Sequence, residues 1–206
     1  MTRVGLLGGA FDPPHGGHLK VARLAFECLN LDELRFVPAN SSPGKGAPHA
    51  SVEARLAMLR GMLLDTPFTI ETIELDNGTA DPSYTVDTLE TLSKREPGTA
   101  WVLIVGMDQI LGFADWRDPT RILELASIAV AGRPTFAGAL PGILAPRQSN
   151  EWSGIPGQVV PLPGTEIDIS SSQLRERLAS ANTSGVALNF LPETVRAVIS
   201  SKSIYS

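Results

Sequence analysis

Two of the chain's three histidines, His15 and His18, stand three residues apart within GGAFDPPHGGHL, residues 8 to 19. The same stretch holds four glycines, two prolines and Asp12, and it follows an apolar run that begins at Val4. Glycine lets a main chain approach a ligand closely, and the first turn of a following helix offers N–H groups to an anion. Imidazoles add hydrogen-bond donors and become cationic near neutral pH, so the combination suits the oxygens of a polyphosphate. Asp12 could orient a histidine or a water, or serve the turn by bonding its own backbone.

Other phosphate and metal motifs fit less well. GxGxxG is absent, and no GK[ST] follows the glycines, so neither a dinucleotide fingerprint nor a Walker loop is present. HxxH supplies two ligands with no obvious third, so no protein metal site is expected. Far along the chain, ISSSQLRERL (169–178) is a serine-rich turn opening a helix, with Arg175 one turn in. Ser170 can cap that helix with Gln173 as its box partner, leaving Ser171 and Ser172 to face an anion. Taken alone, this is as well read as a plain helix start.

The elements that must position these residues follow from periodicity. Val4 to Leu7 reads as a buried parallel strand, and Gly17 to Asn30 as a helix, the opening of a βα unit. Residues 33–39 (ELRFVPA) read as a second strand and 51–65 as a helix that Ser51 can cap. Residues 68–75 (FTIETIEL) have strand composition, 84–95 form a helix that Ser83 could cap, and 100–106 (AWVLIVG) is the most apolar run, a central strand. A short helix (120–126), a strand (127–132), an aperiodic surface loop (134–157) and a strand (158–163) follow. The tail holds helices from Ser171 to Ala181 and from Pro192 to Ser201, with Pro192 at the first helical position. Alternating strands and helices predict an α/β domain with a doubly wound parallel sheet, residues 1–206 in one unit, its helical tail covering about 164–206.

With 206 residues, 43% of them hydrophobic, the chain can bury a sizeable core. A formal charge of −5 speaks against broad charge-driven nucleic-acid binding. Cys28 stands alone, which excludes an intramolecular disulfide, a cysteine zinc site and a CxxC pair. No secretory h-region and no run of ~18 apolar residues is present, so a cytoplasmic enzyme that does not span a membrane is expected. Oligomeric state is left open.

GGAFDPPHGGH resembles the GxFDPxHxGH signature of the nucleotidyltransferases with the (H/T)xGH motif, and ISSSQLR is similar to their ISSTxxR. The resemblance implies a Rossmann-like nucleotidyltransferase fold, and transfer of a nucleotidyl group from a nucleoside triphosphate with Mg²⁺ bound mainly through its phosphates. PSYTVDTLETL (82–92), LIVGMDQILGFADWRD (103–118) and AGRP (131–134) further resemble the bacterial nicotinate-mononucleotide adenylyltransferases. Where those relatives commonly carry PPHK, this chain has SSPGK (41–45), with Gly44 in place of histidine and His49 nearby on the loop.

That likeness implies ATP and nicotinate mononucleotide as the small-molecule partners. It places Gly8, Gly9, Phe11, Gly106, Asp108 and Ser170 at ATP, with Gly106 and Asp108 on its ribose. His15 would position the reacting phosphates, His18 would hold the α-phosphate, and Ser171, Ser172 and Arg175 would grip the β and γ phosphates. Lys45 would serve the acceptor phosphate or the α-phosphate. Ala10, Asn40, Tyr84, Thr85, Trp116 and Arg133 would meet the mononucleotide, with Trp116 stacking on nicotinate. Competing expectations are a pantetheine-phosphate adenylyltransferase, or a nucleotide-binding homologue without turnover.

Overall fold

A computed structural model describes residues 1–41, 46–76, 82–132, 140–164, 169–180 and 188–205. Strands β1 (Arg3–Gly9), β2 (Glu33–Pro38), β3 (Thr69–Ile70), β4 (Ala100–Gly106), β5 (Ala126–Ala131) and β6 (Val159–Leu162) form a single sheet. Every pairing is parallel and the order is β3-β2-β1-β4-β5-β6. Helices α1 (Gly16–Cys28), α2 (Val52–Leu63), α3 (Thr85–Arg95), α4 (Met107–Ile110), α5 (Pro119–Leu125), α6 (Ser171–Ala179) and α7 (Glu193–Ser201) complete the alternation.

The period of two along each strand sends side chains into two cores, one per sheet face. In β4, Val102 and Ile104 join Phe36, Met58, Leu59 and Val195 on one face. Trp101, Leu103 and Val105 join Leu89, Leu92 and Ile122 on the other. α7 lies on α2 closely enough that a Cβ at Gly61 would stand 3.0 Å from that of Thr194.

The chain first winds from β1 outward to β3, then returns to lay β4 on the other side of β1. The reversal opens a crevice at the carboxyl ends of β1 and β4, where a ligand can reach backbone groups from two crossovers.

Some expectations change. Within FTIETIEL, Thr69 and Ile70 pair with β2, but the Glu71 carboxylate accepts the Ile73 N–H, and Leu75 N donates to Thr72 O. These local bonds turn the chain before a longer strand can form. Ser83 does not cap α3; its hydroxyl donates to the Glu74 carbonyl, and Tyr84 occupies the cap position without a side-chain bond. Pro192 is the N-cap of α7, one place before the expected position. Residues 140–157 are more than a surface loop: Leu144 is fully buried, and Ser149 N donates to Val159 O beside β6. Trp152 donates from Nε1 to Ser127 Oγ at 2.8 Å with the Arg3 guanidinium over its ring, at the opposite end of the sheet from the crevice.

Candidate active site

The crevice is floored by the turn that carries His15 and His18. His15 is the N-cap of α1, and its Nδ1 accepts the Gly17 N–H at 3.1 Å. His18, at the third helical position, returns the favour: its Nδ1 accepts the His15 N–H at 3.2 Å. The two imidazoles therefore form a capping box, the role usually filled by serine and glutamate. Each ring accepts at Nδ1, so the hydrogen bonds assign the ring proton to Nε2. In that arrangement each ring presents Nε2–H as a donor. The rings lie tilted at 37° with centroids 3.8 Å apart, and Phe11 meets His18 edge-on at 5.0 Å.

Phe11 adopts a left-handed φ of 50° and sinks its ring into the core against Phe36. The backbone contortion throws Asp12 inward, and a cis Asp12-Pro13 bond follows. The buried Asp12 carboxylate accepts N–H groups from His49 at 2.7 Å and Ala50 at 3.0 Å, and the Tyr205 hydroxyl at 2.5 Å. The His49 ring itself is two-thirds exposed, 3.5 Å from Asp12 and outside the cleft.

α6 follows the edge strand β6 and docks on this turn. Ser170 caps it through the expected box with Gln173. Ser171 Oγ donates to Pro13 O at 2.9 Å, across 158 positions of chain. Arg175 Nη1 donates to Asp12 O at 2.6 Å, and its Nη2 donates to Ser172 Oγ. The Ser171 hydroxyl thus donates to protein, whereas Ser172 Oγ accepts from Arg175 and keeps its own O–H as a donor; both residues line the cleft. α6 also offers the cleft the main-chain N–H groups of its first turn, which the box leaves aside, with the positive end of the helix dipole behind them.

The resulting cleft holds about 330 Å³ and brings together Gly8, Gly9, Ala10, Phe11, His15, His18, Gly106, Asp108, Ser170, Ser171, Ser172 and Arg175. Gly8 borders open space, whereas a Cβ on Gly106 would fall 2.5 Å from the Asp108 carboxylate, so at Gly106 a side chain would displace Asp108. Asn40, Tyr84, Thr85 and Trp116 are not part of that lining. Tyr84 lies under the Arg117 guanidinium at 4.7 Å and Trp116 against Phe113 at 5.3 Å, both packed on the second core. The Ser83 N–H donates to Ser41 O, which ties the start of α3 to the strand end carrying Asn40. Gly46 and Pro48 line the cleft, whereas Lys45 and its neighbour Gly44, like Arg133, lie outside the described residues.

Arg55 escaped the sequence reading. It is 1% exposed, and its Nη1 donates to Ala10 O and Ala39 O at 2.8 Å each, bracing the carboxyl ends of β1 and β2. Burial pushes its guanidinium down from the ordinary value, partly offset by Asp12. The signal was present: Arg55 precedes Met58, Leu59 and Met62 by three, four and seven places, which puts it on the apolar stripe of α2.

Comparison with known proteins adds an independent line. A family model described as cytidylyltransferase-like matches residues 6–177. A protein of Hydrogenovibrio crunogenus named "Probable nicotinate-nucleotide adenylyltransferase" is 38% identical over 208 residues, 98% of this chain and 97% of its own. One of the same name from Herpetosiphon aurantiacus is 33% identical, covering 100% and 99%. Among solved structures, the nicotinic acid mononucleotide adenylyltransferase of Plasmodium falciparum, complexed with NaAD, superposes with a TM-score of 0.79. At 16% identity over 100% of this chain and 98% of that one, it is a likeness of fold.

Proposed function

Because the chain belongs to the nicotinate-nucleotide adenylyltransferase family, within the cytidylyltransferase-like group, we propose that it joins ATP to nicotinate mononucleotide. An oxygen of the acceptor 5′-phosphate attacks the α-phosphorus in line, and the bond from that phosphorus to the β-phosphate bridge breaks. The products are nicotinate adenine dinucleotide and pyrophosphate. The attacking oxygen is already anionic, so no general base is needed, and catalysis rests on positioning and charge stabilisation.

The Nε2–H groups of His15 and His18 donate to the reacting phosphates, His18 to the α-phosphate as charge moves toward the leaving group. The first-turn N–H groups of Ser171 and Ser172, with Arg175, take the β and γ phosphates. Gly8, Gly9, Phe11 and Ser170 shape the nucleotide's bed, and Asp108, beside Gly106, accepts from ribose hydroxyls. Lys45 serves a phosphate as a point charge. Ala10, Asn40 and Arg133 border the acceptor, and Thr85 and Tyr84 adjoin its ring, which Trp116 stacks upon. The first turn of α3 has no side-chain cap, which suits its N–H groups to the nicotinate carboxylate.

The lining is rich in donors, and the Asp12 oxygens already accept three, so Mg²⁺ fits here as a passenger on the triphosphate. When bound it supplies charge neutralisation to the phosphates. The whole chain acts as one nucleotidyltransferase domain in the cytoplasm; no helix among the described residues is long and apolar enough to cross a membrane.

One observation carries the reading: the bonds from Ser171 to Pro13 and from Arg175 to Asp12 fasten both motifs to the same cleft. Pyrophosphate release with ATP, Mg²⁺ and nicotinate mononucleotide tests it, with product identified by mass. Preference for pantetheine phosphate as acceptor, or nucleotide binding without product, would overturn it.

A further inference from the structure

Tyr205 does not line the cleft, yet its hydroxyl reaches the side chain on which the cleft is hung. After α7 the chain folds back, with Ile204 N donating to Ile199 O, and with left-handed φ at Ser203 (48°) and Tyr205 (66°). Non-glycine residues hold that conformation only where their surroundings enforce it. Here Ile204 and Tyr205 pack on the core that contains Val195 and Ile199, and the phenol is carried to Asp12 Oδ1, 193 positions away.

Asp12 joins everything that meets there. Its carboxylate fixes the backbone at His49 and Ala50, and its carbonyl receives the Arg175 guanidinium at 2.6 Å. A displacement of Asp12 therefore moves the 49–50 backbone and Arg175 together. Burial and the bond to Asp12 push the Tyr205 phenol up from its ordinary value, so it stays a donor across the working range of pH.

We infer that Tyr205 is a positioning residue for the proposed transfer: by clasping Asp12, its hydroxyl sets the Asp12 carbonyl that aims Arg175 at the triphosphate. Its kinetic readout rests on the adenylyl-transfer reading given above. Tyr205→Phe keeps the ring and its packing and removes only the clasp. Loss of one hydrogen bond to a charged group, felt in the transition state, lowers kcat about tenfold, with KM for nicotinate mononucleotide within about twofold.

The decisive comparison is made in the Arg175→Ala background, with folding of each variant checked by circular dichroism. There Tyr205→Phe lowers kcat by less than about twofold further, since the group it positions is gone. A Tyr205→Phe protein with unchanged kcat overturns the inference. So does a tenfold loss that persists without Arg175, or a drop in Tm alone, which a merely structural role would give. If the wild-type protein makes no dinucleotide, the functional reading fails, and the same variants are compared by the Kd of Mg·ATP. Weakening that appears only when Arg175 is present then upholds the clasp, and equal affinities reject it.

Discussion

Replacing His18 by asparagine and by glutamine separates its two jobs. The asparagine side chain carries an amide oxygen near the place of Nδ1, where it can still accept the His15 N–H, but nothing reaches the place of Nε2. Glutamine reverses this, putting an amide N–H near Nε2 and leaving the His15 N–H without its cap. That backbone bond is 3.2 Å long, at the long end of the normal range, so its loss falls low in the range for caps, about 0.5–1 kcal/mol. For a chain of this size the melting temperature then drops by roughly 1–4 °C. The missing donor is the larger effect: one donor aimed at developing charge is worth about 10²–10³ in turnover, or roughly 2.7–4 kcal/mol. Thermal unfolding and pyrophosphate release should thus give a stable, nearly inactive His18→Asn, and a His18→Gln that is slightly less stable and recovers part of the rate. An active His18→Asn, or a His18→Gln no faster than it, would refute the assignment of the proton to Nε2 and the task given to it.

Three further outcomes are expected. Arg55→Met leaves Ala10 O and Ala39 O without donors, at about 1–3 kcal/mol each, less the relief of a desolvated guanidinium. Calorimetry should show Tm falling by roughly 5–15 °C; a variant as stable as the parent would deny Arg55 its bracing role. Gly106→Ala drives its methyl into the Asp108 carboxylate, so KM for ATP should rise about tenfold or more at nearly constant Tm, and an unchanged KM would remove Asp108 from the ribose. Burial holds the Glu74 carboxyl above the ordinary range, against a hydrogen bond from Thr88 that lowers it. The folded state then binds that proton more tightly than the unfolded chain, so stability is lost as pH rises from the unfolded value through the folded one. Glu74→Gln, which still accepts from Thr88, should raise Tm at about pH 7.5 and leave it unchanged near about pH 4; a lower Tm at the higher pH would contradict the sign.

The sheet was legible because strands buried on both faces are nearly continuous apolar runs, as AWVLIVG is, and because Gly-rich turns mark the crossovers. The Ser170 box was legible for a related reason, since caps are local and the residues that make them lie within four places of one another, but the same kind of box between His15 and His18 was not read, because imidazoles rarely fill that role. The short β3 was not, since whether Glu71 turns the chain or extends it depends on a competition between neighbouring bonds that composition does not reveal. Ser83 was misread because a serine beside a helix start has other partners within reach, here the Glu74 carbonyl. Asp12 and Tyr205 were beyond reading, as no periodicity connects residues 193 places apart. The hydroxyls of Ser171 and Ser172 show the complementary limit: the motif placed them correctly, but only the docked helix reveals that they bond protein.

The fastening of Ser171 and Arg175 onto the Pro13 and Asp12 carbonyls has a consequence for the protein as it is made. A ribosome delivers both imidazoles early, and the βα units that follow can begin to pack as they emerge. The cleft lacks the wall that α6 supplies until some 163 further positions have been translated. The cleft is therefore completed in a single step, long after its first wall has emerged.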